Sequence, residues 1–287
     1  MHSILNIPVS HAQLQRWSRY LAPARQPFFL TPEQARPFGL TLTTPDPSPE
    51  ERDTFQLWNV GPDQAALLNE ADYLRLTPAQ RAELLSIQRE HRRGAVEPVG
   101  EWRDLLPEVA GQSGGERFVW WPSVLAGREP EILGRVLARD RLPCLHAEVP
   151  ESLWNTVLSI LPRARELAGT FVPGSGPNCF GTVMAAAGVS GAENVWMQRE
   201  PFEAWLLEYT RPTPEPAPGS VLIWRSATGQ VDHAAAVLGA DYVLHKPSQG
   251  WDSPRQVVTL AQLRGGWGAA SEVRGLAVTS PPATLSR

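Results

Sequence analysis

Polar and apolar positions alternate in two different styles along the chain. Before about residue 100, apolar positions recur at helical spacing: Leu14, Trp17 and Leu21 after Ser10, then Leu84, Leu85 and Ile87 after Thr77. Thr31-Pro32-Glu33-Gln34, Ser48-Pro49-Glu50-Glu51 and Thr77-Pro78-Ala79-Gln80 share one start signature. Each sets a hydroxyl at the N-cap, a proline at the first helical position and Glu or Gln at the third. The hydroxyl accepts from a free amide, the proline needs no donor there, and the third side chain closes a capping box. The last of these helices is expected to stop at Gly94, after the cationic turn Arg92-Arg93. Residues 94–100 and 111–115 are glycine-rich and predict loops, 118–121 predict a strand and 129–139 a helix. Residues 1–110 are thus expected to form a mainly helical region, with a boundary to 111–287 lying somewhere in 95–150.

The second half changes period. A helix is predicted over 152–167, then a glycine- and proline-rich break over 172–177. An apolar helix follows, beginning at Cys179 and stopped by Gly188. Another helix covers 201–209, and the proline-rich stretch 211–219 predicts an extended connector. Five short apolar runs then predict strands at 220–224, 231–238, 242–245, 256–258 and 273–278. Consecutive short strands favour an antiparallel meander, and helices followed by strands give an α+β fold.

Composition narrows the function classes. The chain has 287 residues, 42% of them apolar, and a net charge of −4. Neither half is basic, which argues against a phosphate-binding groove and so against nucleic acid as partner. No apolar run approaches a membrane span, and the first residues lack the basic and apolar pattern of a Sec signal. Cys144 and Cys179 cannot build a disulfide framework, so a reducing, cytoplasmic setting is expected. His2, His11, His91 and the pair Cys144/His146 lack partners at metal-ligand spacing, and neither a metal nor a cofactor is expected.

The chemistry concentrates at three positions. Cys179 starts its helix, where free amides and the helix dipole favour a thiolate and can hold an oxyanion. His233 opens the second predicted strand and His245 closes the third. Antiparallel neighbours bring those two ends together. A Cys–His–His line follows, in which His233 takes and returns the proton and His245 fixes its tautomer. The expectation is a depressed thiol pKa and an ion pair at neutral pH. Lys246, the sole lysine among 26 basic residues, is either a solvated strand-end cation or a point charge at a cleft mouth for a carboxylate or phosphate.

The order of these segments resembles a known family. The helical Cys179 is followed by Pro218-Gly219-Ser220-Val221-Leu222-Ile223-Trp224, by Asp232-His233-Ala234-Ala235-Ala236-Val237-Leu238-Gly239 and by Tyr242-Val243-Leu244-His245-Lys246-Pro247. This is similar to the NlpC-type papain-like cysteine peptidases, many of which cut cell-wall peptides. Their Asp-Cys-Ser-Gly, Gly-Asp-Leu-Val and His-Val-Gly-Ile-Tyr-Leu-Gly segments fall in the same order. The likeness covers about 150–280 and implies nucleophile, base and orienting residue at Cys179, His233 and His245. It implies a papain-like core of helices on a five-stranded antiparallel sheet and a thioester-forming amide hydrolase, a cysteine peptidase or amidase. Asn178 and Phe180 replace the family's Asp and Ser, which argues for a peptide or small amide other than cell wall. Asn178, Phe180, Lys246 and Trp251 are the candidate substrate contacts. An acyltransferase using the same thioester, or a binding protein that retains the fold, are the alternatives.

Overall fold

A computed structural model of the chain describes residues 2–109 and 115–276. Residues 111–114 of the loop expected at 111–115 and the last residues of the fifth expected strand, 277–278, lie outside them. The chain divides into two compact units. One holds His2 and the described residues of Val9–Val136, and the other holds Ser3–Pro8 together with the described residues from Leu137 to Leu276.

The first unit contains the expected helices. His11–Leu21, Pro32–Ala35, Pro49–Thr54 and Pro78–Glu90 each start on a complete capping box, and the first buries Leu14, Trp17 and Leu21. It also contains strand pairs that helical periodicity does not show. After β1 (His2–Ile4) and β2 (Ile7–Val9), which lie mostly in the other unit, strand β3 (Arg25–Phe29) pairs antiparallel with β4 (Ala65–Asn69), and β5 (Val96–Pro98) with β6 (Arg117–Val119). The side chain of Gln88 takes a hydrogen bond from the Phe29 amide at 2.7 Å and gives one to the Phe29 carbonyl at 2.8 Å. Helix Pro78–Glu90 is thereby fixed along β3. Division falls after Val136, later than 110/111, because β6 and the residues after it pack into this unit. Trp120 meets Trp102 edge-on at 4.7 Å, and Trp121 lies 5.5 Å from Tyr73.

The second unit is a six-stranded antiparallel sheet with helices, an α+β architecture. Its strands are β7 (Thr210–Pro212), β8 (Val221–Arg225), β9 (Val231–Gly239), β10 (Tyr242–His245), β11 (Gln256–Thr259) and β12 (Glu272–Leu276), in the order β11-β10-β9-β8-β12-β7. The first four in sequence after β7 form the expected meander. The sixth strand arises because the end of helix Arg199–Tyr209 runs directly into β7, where Thr210, Arg211 and Pro212 pair with Leu276, Gly275 and Arg274. Proline is tolerated there because β7 is an edge. The helix expected over 152–167 is broken instead into Glu151–Val157 and Ala164–Leu167, with Pro162 between them.

Two features of this sheet position the chemistry. Leu222, Trp224, Ala235, Val237, Val243 and Val258 form one buried layer with Leu263 of helix Leu260–Trp267. At its end the β8–β9 register slips, so that Trp224 faces His233 while Arg225 faces Val231 and Asp232 is extra. Such a bulge re-aims the side chain beside it. Among the described residues, no helix is long and apolar enough to cross a membrane.

Candidate active site

Cys179 is the first residue of helix Cys179–Ala186, every residue of which is buried. Asn178 caps this helix: its Oδ1 accepts from the Gly181 amide at 3.1 Å, and its Nδ2 donates to the Met197 carbonyl at 2.8 Å. The incoming chain is tied down just before the cap. The Gly176 amide donates to the Gln249 carbonyl at 2.9 Å, and the Trp251 amide donates to Ser175 Oγ at 3.2 Å. Helix Cys179–Ala186 packs against β9 and β10. Ala234 and Ala236, on the face of β9 opposite Ala235, keep the strand slim there.

The helix also requires glycine at 181. A Cβ there would sit 2.3 Å from the Ala192 carbonyl oxygen, a backbone atom that cannot rotate away. Gly181→Ala is expected to destabilise the chain by about 1–3 kcal/mol and to shift the start of the helix. A lowered urea midpoint with unchanged slope is the expected result; an unchanged midpoint would mean that the Ala192 turn yields freely.

The two histidines meet as their strand positions predict. His233 Nε2 and His245 Nδ1 are 3.2 Å apart, with the rings edge to face. His245 Nε2 lies 3.1 Å from Nε2 of Gln256, its register partner on β11. A hydrogen-bonded line therefore runs Gln256–His245–His233. Trp267 lies flat on the His233 ring, 4.0 Å away and 5° from parallel. Both imidazoles are buried. Burial, together with the neighbouring His245, holds His233 well below the usual histidine range, and burial takes His245 down to about 3. Both rings are neutral at pH 7.

The sulfur lies at the backbone amide of Ala234, the residue after His233 on β9. Burial pushes the Cys179 thiol up to about 11, against the pull of the amides of Ala234, Phe180 and Cys179 and of the Lys246 charge. The amides and dipole do act as the helix position suggests, yet desolvation outweighs them. This reverses the expectation of a depressed pKa and a resting ion pair. The partners of the sulfur are backbone amides; the imidazole line ends at His233 without a hydrogen bond to it.

The four candidate substrate contacts are placed elsewhere. Lys246 is neither solvated nor at a cleft mouth. It is fully buried, and its ammonium donates to the carbonyls of Ser248 at 2.6 Å and Gly250 at 3.0 Å. Its charge orders its own loop and reaches Cys179 from inside. Asn178 is occupied as a cap. Phe180 is buried and stacks on Phe202 with ring centres 4.5 Å apart. Trp251 is buried in the loop that holds Ser175. None of the four side chains is presented to a ligand.

A cleft of about 190 Å³ opens beside the histidine line instead, lined by His245, Gln256, Gln262, Trp267, Leu142 and Arg141 among others. The Arg141 guanidinium is held by the carboxylate and the carbonyl of Asp252. Sequence reasoning missed Gln256 and Trp267. Gln256 has a findable signal, since it falls opposite His245 if β10 and β11 form a tight antiparallel pair. Trp267 stands in Gly265-Gly266-Trp267-Gly268, a segment whose glycines obscure the helix. Cys144 is an ordinary buried thiol whose sulfur accepts from the Val257 amide at 3.2 Å. Among the described residues, no group of three or more His, Cys, Asp or Glu side chains is placed to hold a metal ion. No protein-family model, no curated protein and no solved structure matches this chain.

Proposed function

We propose that the chain is a cysteine-dependent amide hydrolase, with a papain-like core in its second unit and Cys179, His233 and His245 as its reacting line. The observation that carries this reading is the 3.2 Å His233–His245 hydrogen bond on strands against which the helix begun by Cys179 packs, with the amide of Ala234, next in the chain to His233, directed at the sulfur. A buried pair of imidazoles is costly to keep when structure alone is at stake. It is useful when a proton must leave a thiol and return to a leaving amine. Attack forms a bond from Sγ to the substrate carbonyl carbon and moves the thiol proton to His233. The amide nitrogen then departs with that proton, and water releases the acid from the thioester. Because thiol and imidazole are both neutral at rest, proton transfer accompanies attack and does not precede it.

A second reading is favoured by one specific observation. Cys179 is buried, and its sulfur is bonded to amides and not to His233. That arrangement suits a binding protein that has kept the fold. The two readings separate under an activated acyl ester and a panel of peptide amides. The hydrolase reading expects an acyl adduct on Cys179, seen by intact mass and peptide mapping, and turnover lowered by about 10³-fold or more in Cys179→Ala. Failure of every ester and amide to mark Cys179 would leave the binding protein. Release of the acyl group to an added amine in preference to water would make the chain an acyltransferase.

A further inference from the structure

Lys246 is the sole lysine among the 26 basic residues, and it is fully buried. Two features of the fold bring it to the side of the sheet that carries Cys179. The first is register. Ala235 belongs to the buried layer that contains Leu263, so Ala234 and Ala236 face the other way. Leu244 on β10 is the partner of Ala236. The same register, carried two residues on and just past the end of β10, sets Lys246 opposite Ala234, whose amide is directed at the sulfur. Helix Cys179–Ala186 packs on both strands.

The second feature is the loop after β10. The Lys246 ammonium donates to the carbonyls of Ser248 and Gly250. In the same loop the Gln249 carbonyl accepts from the Gly176 amide, and the Trp251 amide donates to Ser175 Oγ. Ser175 and Gly176 stand just ahead of the Asn178 cap. The loop that holds the charge is thus the loop that holds the entry to the helix. A compact ammonium suits this place where a planar guanidinium would not.

The other charged groups on the elements around the sulfur are engaged elsewhere or face solvent. Glu166 and Glu193 bind Arg163, Arg165 binds Glu151, Glu203 binds Arg225, and Asp252 binds Arg141. Asp232 lies 3.9 Å from Arg199, and Glu200 and Glu208 are exposed. His233 and His245 are neutral at pH 7. The charge of Lys246 acts on the thiol together with the amides of Ala234, Phe180 and Cys179, and it favours the thiolate that burial opposes. A buried charge of this kind is poorly screened by water and salt.

We propose that Lys246 is the counter-charge of the Cys179 thiolate, a positioning residue for the nucleophile and not a substrate contact. Its use in catalysis rests on the reading of Cys179 as nucleophile. The coupling itself is measured without any substrate, and it is reciprocal. What Lys246 does to the ionisation of Cys179, Cys179 does equally to that of Lys246.

Both directions can be read. The first is the iodoacetamide rate at pH 8, assigned by peptide mapping. Lys246→Met is expected to slow Cys179 about threefold to tenfold, because the loss of thiolate outweighs its gain in nucleophilicity, and to leave Cys144 unchanged. A lysine that only ties down its loop predicts the opposite, since its loss would open the helix start and speed Cys179. An unchanged or faster rate therefore overturns the proposal. The second direction uses the full chain labelled with carbon-13 at lysine Cε, in which Lys246 gives the one lysine signal. Cys179→Ala is expected to lower the pH at which that signal titrates by roughly one unit. Equal titrations in wild type and Cys179→Ala overturn the proposal, and this comparison decides if Lys246→Met fails to fold. If both measurements come out as expected while no ester or amide marks Cys179, the hydrolase reading fails and the coupling stands. If Cys179 is acylated but neither measurement moves, the hydrolase reading stands and Lys246 only shapes its loop.

Discussion

At pH 7, Cys179 is expected to react with iodoacetamide about a hundredfold more slowly than an exposed cysteine. Only the thiolate attacks, and a thiol moved from its ordinary 9.0 to about 11 holds correspondingly less of it. The sign is set by desolvation: burial penalises the charged form, so the pKa of an acid rises. The rate should climb steadily from pH 7 toward pH 11 with no plateau near 8. Cys144, also buried and also raised, is expected to follow the same direction, so peptide mapping must assign the label. Fast labelling of wild-type Cys179 at pH 6 would restore the resting ion pair and contradict the neutral site.

The expectation that failed here shows what a sequence can and cannot carry. That Cys179 starts a helix is legible from the break at 172–177 and the apolar run to Gly188. The amides that lower its pKa follow from that position. How deeply the helix start is covered depends on the chain from Trp251 back to Ser175 and on the strand beside it, which no local pattern records. The same holds for Lys246. Alternation correctly separates it from His245, but whether its own side of the sheet is wet or dry is set by the loop after the strand, whose carbonyls take the ammonium.

Strand ends were legible where apolar runs were short and bounded by turns, and this sufficed to bring His233 and His245 together. Gln256 was placed on a strand but not in the site, because its importance lies in register and not in residue type. The missed elements are those whose residues disfavour their own structure. Ala65–Asn69 is built from helix-favouring residues, and Arg25–Phe29 contains a proline. Helix Leu260–Trp267 carries two glycines and is held by the capping box of Thr259 and Gln262 and by Leu263 in the core. Tertiary packing overrides propensity in each.

Acid is expected to destabilise the second unit well before its carboxylates begin to titrate. His245 has a folded pKa of about 3 against an ordinary 6.5, and His233 is displaced in the same direction. A base with a lowered folded pKa is neutral in the native state and takes a proton in the unfolded one. Its contribution is therefore complete above pH 6.5 and is lost as pH falls from there toward the folded value. Each pH unit in that window costs about 1.4 kcal/mol per histidine. Between pH 6.5 and 5 His245 alone should thus remove on the order of 2 kcal/mol, an appreciable share of the stability of an ordinary domain, and His233 acts in the same direction. The half-buried His146, also lowered by burial, adds in the same direction. Ion-paired carboxylates such as Glu193 and Glu272, themselves held low by Arg163, Arg225 and Arg274, lose their contribution only below about 4.5, in a separate range. Urea midpoints measured from pH 7.5 to 4.5 should fall steeply from 6.5 downward. In His245→Gln, which cannot take the proton, the fall should be shallower. A wild-type midpoint that stays level down to pH 5 would mean that the imidazoles carry a proton in the folded chain.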